Sequence, residues 1–184
     1  MATSNDERNG GTMAVAGTGA GAEQIGYRVL GIYLNDHLAV ATVGTELAHR
    51  VARTHRERGP DGQLKRLAVE VAQDRAALIG MMKALGVPVR SYKVLAAWAG
   101  EKAGRVKFNG RLLARSPLSD LEELELLRLG VEGKAAGWRT LRALADADMR
   151  LDPEQLDELM SRARHQADQL EELRVRAAEQ VIRS

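Results

Sequence analysis

Residues 116–147 constrain the fold more than any other stretch. Leu124, Leu127, Val131, Trp138, Leu141 and Ala145 recur there at spacings of three or four, or at multiples of a turn, which is the period of an amphipathic helix. The stretch also has a sharp beginning. Ser116 is a capping residue, Pro117 suits the first helical position, and Ser119 with Glu122 forms a second capping box. Asp120, Glu122 and Glu123 favour the positive end of the helix dipole. A second stripe, Leu118, Glu125, Leu129, Glu132, Ala136 and Ala143, runs along a different side. One stripe must face the core, and the other must meet another element or form an interface. Glu125 and Glu132 share that second stripe and are candidate counter-charges, or candidate ligands, for whatever faces them.

Three more segments read as long helices. Over residues 26–55, Leu30, Tyr33, Leu34, Val40, Ala41, Ala48 and Val51 share one face, and Asn35, Glu46, Arg50 and Arg53 share the opposite one. Ala41, Gly44 and Ala48 are small and permit close approach of a neighbour. His37 falls near the middle of the apolar face, as a core histidine or as a ligand. A turn at 56–62 supplies Pro60 and Asp61 as first-turn and cap residues. The next helix runs to about residue 85, with Leu64, Leu67, Ala68, Val71, Leu78, Ile79 and Met82 as its buried stripe. Arg75 projects onto that stripe, Asp74 lies at its edge and Glu70 further round. A buried arginine left unpaired costs about 3–5 kcal/mol, so Arg75 demands a carboxylate from another helix, with Glu125 and Glu132 as candidates. Gly86 and Pro88 end this helix. The last helix opens at Asp152–Pro153, with Gln155 three residues after the cap, and runs to about residue 182. Leu156, Met160, Ala163, Ala167, Leu170, Ala177 and Val181 form its apolar stripe. His165 points away from that stripe, and Arg162, Arg164, Glu171, Glu172 and Arg176 read as solvated charges.

Composition agrees. Aromatic residues make up only 3% of the 184 residues, while the helix formers Ala, Leu, Arg and Glu are abundant. The absence of cysteine excludes disulfides, thiolate metal sites and cysteine nucleophiles. A formal net charge of +2 is too small to argue for nucleic acid. No run approaches the ~18 apolar residues of a membrane span. The polar N-terminus does not read as a secretory signal, so a reducing cytoplasm is expected. Residues 1–24 read as a flexible tail and 25–184 as a single domain. Gly17, Gly19 and Ala22 loosely match a dinucleotide fingerprint, but that motif needs a strand before it and a βαβ unit around it. No strand-like segment follows.

Residues 87–116 are too long to be a hairpin connection, which takes about 2–8 residues. A short helix is expected after Ser91, with Val94, Leu95, Trp98 and Ala99 on one side. Arg90, Lys93, Lys102, Arg105, Lys107, Arg111 and Arg115 accompany a lone Glu101, with Tyr92, Trp98 and Phe108 among them. Such interleaving occurs in nucleic-acid and anionic-membrane binders. Here it reads instead as a solvated crossover whose aromatics tuck onto the bundle.

Two helices, a long crossover and two helices make an all-α, antiparallel four-helix bundle with the connectivity of ferritin-like proteins. The wording of the first two helices (Tyr33-Leu34-Asn35-Asp36-His37-Leu38 and Ala68-Val69-Glu70-Val71-Ala72-Gln73-Asp74-Arg75) resembles an uncharacterised actinobacterial group within the ferritin-like superfamily. That resemblance implies di-iron chemistry, which needs inward carboxylates and paired Glu-x-x-His motifs. This chain offers Glu46 and His49 on the polar side of the first helix. Glu70 is followed by Gln73 and Glu158 by Ser161, so the pairing is broken. His37, Glu70, Asp74, Glu125 and Glu132 remain as a degenerate ligand set for iron, with Arg75 competing for the same space. The expected interior is therefore an ion-pair network of Arg75 with Glu125 or Glu132, without a cofactor. No nucleophile–base arrangement points to an enzyme. The expected role is association, as a homodimer through the third helix or the crossover; the alternative is a metal-binding relative of ferritins.

Overall fold

The computed structural model describes residues 16–54, 62–90 and 117–183. All of their regular structure is helical, in four long helices: α1 (Ala16–Thr54), α2 (Gln63–Ala84), α3 (Pro117–Ala145) and α4 (Pro153–Arg183). The expected short helix after Ser91, and the crossover apart from 87–90, lie outside the described residues. Helix α1 begins at Ala16, ten residues before the expected start at 26, so the backbone of residues 16–24 is helical rather than tail-like. The loose fingerprint at Gly17, Gly19 and Ala22 sits inside this helix, with no strand among the described residues.

Two of the helix ends follow the sequence signals; α2 instead opens behind Gly62, which makes no side-chain cap hydrogen bond, and the expected cap residues Pro60 and Asp61 lie outside the described residues. Gly86 adopts φ +71°, and the amides of Gly86 and Val87 bond back to Lys83 O and Met82 O at 3.1 and 2.8 Å. A left-handed residue there folds the chain back over the last turn, and glycine does so without a Cβ penalty. At the start of α4, Asp152 Oδ1 accepts from the amides of Glu154 (2.9 Å) and Gln155 (3.3 Å). This satisfies amide donors that the first turn would otherwise leave bare.

Helix α3 packs on α4 most extensively, then α1 on α2 and α1 on α3. Along each contact, residue numbers rise on one helix as they fall on the other. Tyr33 meets Thr140 (3.0 Å) and Arg50 meets Glu123 (3.3 Å). Gly31 lies beside Val87, and Arg75 Nε donates to Thr42 at 2.9 Å. Arg142 meets Asp157 (3.2 Å) and Arg128 meets Glu171 (3.1 Å). The core gathers Leu34, Leu38 and Val51 of α1, Leu67 and Met82 of α2, Trp138 and Leu141 of α3, and Leu156 and Leu170 of α4. Every member of the first α3 stripe is buried.

Two placements differ from the periodicity. Val40, expected on the buried face of α1, is 55% exposed, and Asn35, expected to point outward, is buried. The reason for Asn35 is its work on the chain leaving α2. Its Nδ2 donates to Gly31 O (2.7 Å) and Pro88 O (3.1 Å), and its Oδ1 accepts from the Arg90 amide (2.8 Å). The outer stripe of α3, including Glu125 and Glu132, faces away from the core.

One end of the bundle is tied by Arg150. Its guanidinium donates to both Asp148 carboxylate oxygens (2.8 and 2.6 Å), to Tyr27 Oη (2.6 Å) and to Leu85 O (3.3 Å), and it lies 5.1 Å from the Tyr27 ring centroid. It therefore joins α1, the end of α2 and the α3–α4 loop. These bonds favour the charged carboxylate and bring Asp148 down from the ordinary 3.8 to about 2. The unfolded chain then takes up the proton more readily than the folded one. Stability from this group is present above about pH 4 and is lost as pH falls towards 2. Acid unfolding followed by circular dichroism should show a smaller loss over this window in Asp148→Asn than in the parent chain, from a lower starting stability.

Close approach of α1 and α3 rests on Gly137, where an added Cβ would lie 3.0 and 3.1 Å from the His37 ring. Gly133, one turn earlier, has nothing within 4 Å of that position. Since glycine inside a helix costs about 0.5–1 kcal/mol relative to alanine, Gly133→Ala should raise thermal stability. Gly137→Ala should gain less or lose stability, because His37 must shift; calorimetry of the two variants measures the difference.

Candidate functional site

The chemistry-bearing side chains converge on the middle of the bundle, around Asp74. This residue is at a buried-stripe position of α2: three residues after Val71 and four before Leu78. It is 1% exposed. Its carboxylate receives the ammonium of Lys134 from α3 and the guanidinium of Arg162 from α4. Gln166, fully buried, accepts from Lys134 through Oε1 and donates through Nε2 to Glu70 Oε2 (3.0 Å) and Asp74 Oδ2 (3.3 Å). Two acids from α2 thus face a lysine, an arginine and an amide from α3 and α4. Burial pushes the Lys134 ammonium below its ordinary pKa, and the Asp74 carboxylate beside it pulls the other way.

Asp74 was expected only at the edge of the buried stripe and is instead its centre. Arg162, expected to be a solvated charge, reaches inward to Asp74. The anticipated pairing of Arg75 with Glu125 or Glu132 is replaced by other contacts. Arg75 donates to Thr42, Glu125 lies 3.4 Å from Arg174, and Glu132 lies 3.7 Å from Arg128. Both glutamates sit on the outer side of α3, close to half exposed, where solvent screens the pairs. They do not meet Asp74, so the candidate metal set of His37, Glu70, Asp74, Glu125 and Glu132 is not brought together. Among the described residues, no three His, Cys, Asp or Glu side chains converge as metal ligands. Glu46 is exposed and its partner His49 half-buried. His165 is exposed and contacts Gln169 at 2.9 Å.

Sequence reasoning missed Lys134 and Gln166, although the signal was present. Lys134 is three residues after Val131 and four before Trp138, and Gln166 is three after Ala163 and four before Leu170. Each polar residue occupies a position where its own helix calls for an apolar one.

A narrow cavity of about 40 Å³ runs beside the network, lined by His37, Gly44, Asp74, Arg75, Lys134 and Trp138 among others. About 10–15 Å³ suffices for one water, so this space suits water rather than an organic substrate. His37 packs its ring on Tyr33, with centroids 4.4 Å apart, and against Gly137. Burial lowers its pKa, opposed by nearby Asp36. It therefore fills space as a predominantly neutral ring near pH 7.

In comparison with known proteins, the chain matches no protein-family model, no curated protein and no solved structure.

Removing one partner of a buried ion pair leaves the other charge uncompensated. Asp74→Ala strands both Lys134 and Arg162 and should cost about 3–5 kcal/mol. Lys134→Met leaves Asp74 with Arg162 and Gln166, and should cost clearly less. Urea unfolding of both variants measures the ranking.

Proposed function

We propose that this chain is a non-catalytic, cytoplasmic bundle of ferritin-like topology that acts by self-association, as a homodimer. In this reading the helices are antiparallel neighbours and residues 87–116 form the crossover. The opposed numbering along the helix contacts supports that order, because α2 and α3 then run in the same sense and need a long connection.

The single observation that carries association is the outward face of α1. Ile25, Val29, Ile32, Val40 and Val43 fall on one helical stripe, interrupted by the exposed Asp36, and are 63, 58, 43, 55 and 41% exposed. On α3, Leu118, Leu126 and Leu129 add 49, 49 and 64% exposed side chains. Scattered exposed apolar residues are ordinary on a protein surface, whereas an aligned apolar stripe along one helix marks an interaction surface. Association was expected through the third helix or the crossover; residues 91–116 lie outside the described part, and α1 is the stronger of the described faces.

The interior supports the non-catalytic reading over an iron site. Asp74 already holds two cations, and a metal ion there would have to displace Lys134 and Arg162 and approach their positive charge. Among the described residues, no helix is long and apolar enough to cross a membrane.

Light scattering at micromolar concentration should give twice the chain mass. The double variant Val29→Glu/Val40→Glu should shift it to the monomer mass with its helical circular dichroism intact. A parent chain that stays monomeric across the accessible concentration range would end the proposal.

A further inference from the structure

The end of the bundle tied by Arg150 also carries a cleft of about 370 Å³, within the size range of small-molecule sites. Arg28, Arg90 and Arg150 line it, with Tyr27 at its edge and Leu85, Val87 and Pro88 as an apolar wall. Among the described residues, no aspartate or glutamate lines it. Asp148, an acid at this end, is already bonded to Arg150. Its charge therefore cancels that of one arginine, and Arg28 and Arg90 leave the cleft positive.

The cleft is also held in shape. Asn35 brackets residues 88–90 against α1, which fixes the backbone that presents Arg90. Gly86 turns the chain into the wall, and Arg150 is pinned by four hydrogen bonds to three other residues. Arginine forks match the oxygens of carboxylate and phosphate groups, and a preformed site loses less entropy on binding.

We infer that this cleft binds a small organic anion, its carboxylate or phosphate between Arg28 and Arg90 and its apolar body against Leu85, Val87 and Pro88. This site is separate from the α1 stripe, and its occupancy does not depend on self-association.

The experiment uses the full chain, isotope-labelled, titrated at low salt with phenyl phosphate, benzoate and neutral benzyl alcohol. The amides of Gly31, Gly86 and Arg90 are the reporters. Saturable shifts are expected with phenyl phosphate or benzoate, and the stronger of the two identifies the preferred anionic group. In Arg28→Gln/Arg90→Gln, affinity should fall about tenfold or more, the loss of roughly one charge-assisted contact, with the helical spectrum unchanged. Asn35→Ala should weaken binding while leaving both arginines in place. Three results would overturn the assignment: no saturable shift with either anion, equal affinity in the double arginine variant, or benzyl alcohol binding as tightly as the anions.

Discussion

The carboxylate of Asp74 is the constraint on which the rest of the interior depends. A charge taken fully out of water is tolerated only when opposite charge and hydrogen bonds replace the lost solvent. Lys134, Arg162 and Gln166 supply that replacement from two other helices. Each must arrive at the right height along its own helix, so the network fixes the rotation and axial position of α2, α3 and α4 together. Sliding one helix by a turn, about 5.4 Å, would leave apolar packing roughly equivalent but would strand the charges. The apolar stripes provide the driving force for collapse; the polar layer selects one register among those the stripes allow.

The middle of the bundle is also unlike a metal site in composition. A carboxylate metal site places several acids around a cation from solution. Here the cations are covalently part of the chain. Lys134 and Arg162 occupy the coordination space of Asp74, and Glu70 is engaged by Gln166. The adjacent cavity is narrow and its wall is mostly hydrocarbon.

The helices themselves were legible in the sequence because burial and the 3.6-residue period act on the same positions. The α3 stripe from Leu124 to Ala145 is buried throughout, and the Asp152 and Gly86 signals mark real helix ends. The site was less legible for a physical reason. Periodicity sorts apolar from polar residues along one helix, and it does not say which charged residues on a stripe find partners inside. Asp74, Lys134 and Gln166 obey the same spacing, yet their partners come from helices distant in sequence. Pairing across helices depends on relative rotation, which a single-helix pattern does not contain. Asn35 was misplaced for a related reason. Its neighbours belong to the chain after α2, at Pro88 and Arg90, which the pattern of α1 alone does not contain.

The sides of the Asp74 network divide unequally along the chain. Among the described residues, 16–90 contribute the acids of this network, Glu70 and Asp74, and 117–183 contribute its cations and its amide. Taken alone, the α1–α2 pair would bury the carboxylate of Asp74 without Lys134 and Arg162, and the α3–α4 pair would hold those two cations without it. Neither half is therefore a good intermediate in its native packing, since hydrophobic closure of one pair would dehydrate a charge that only the other can neutralise. Cooperativity between the halves is built into their charge complement, and docking of one pair on the other is the event that completes both cores.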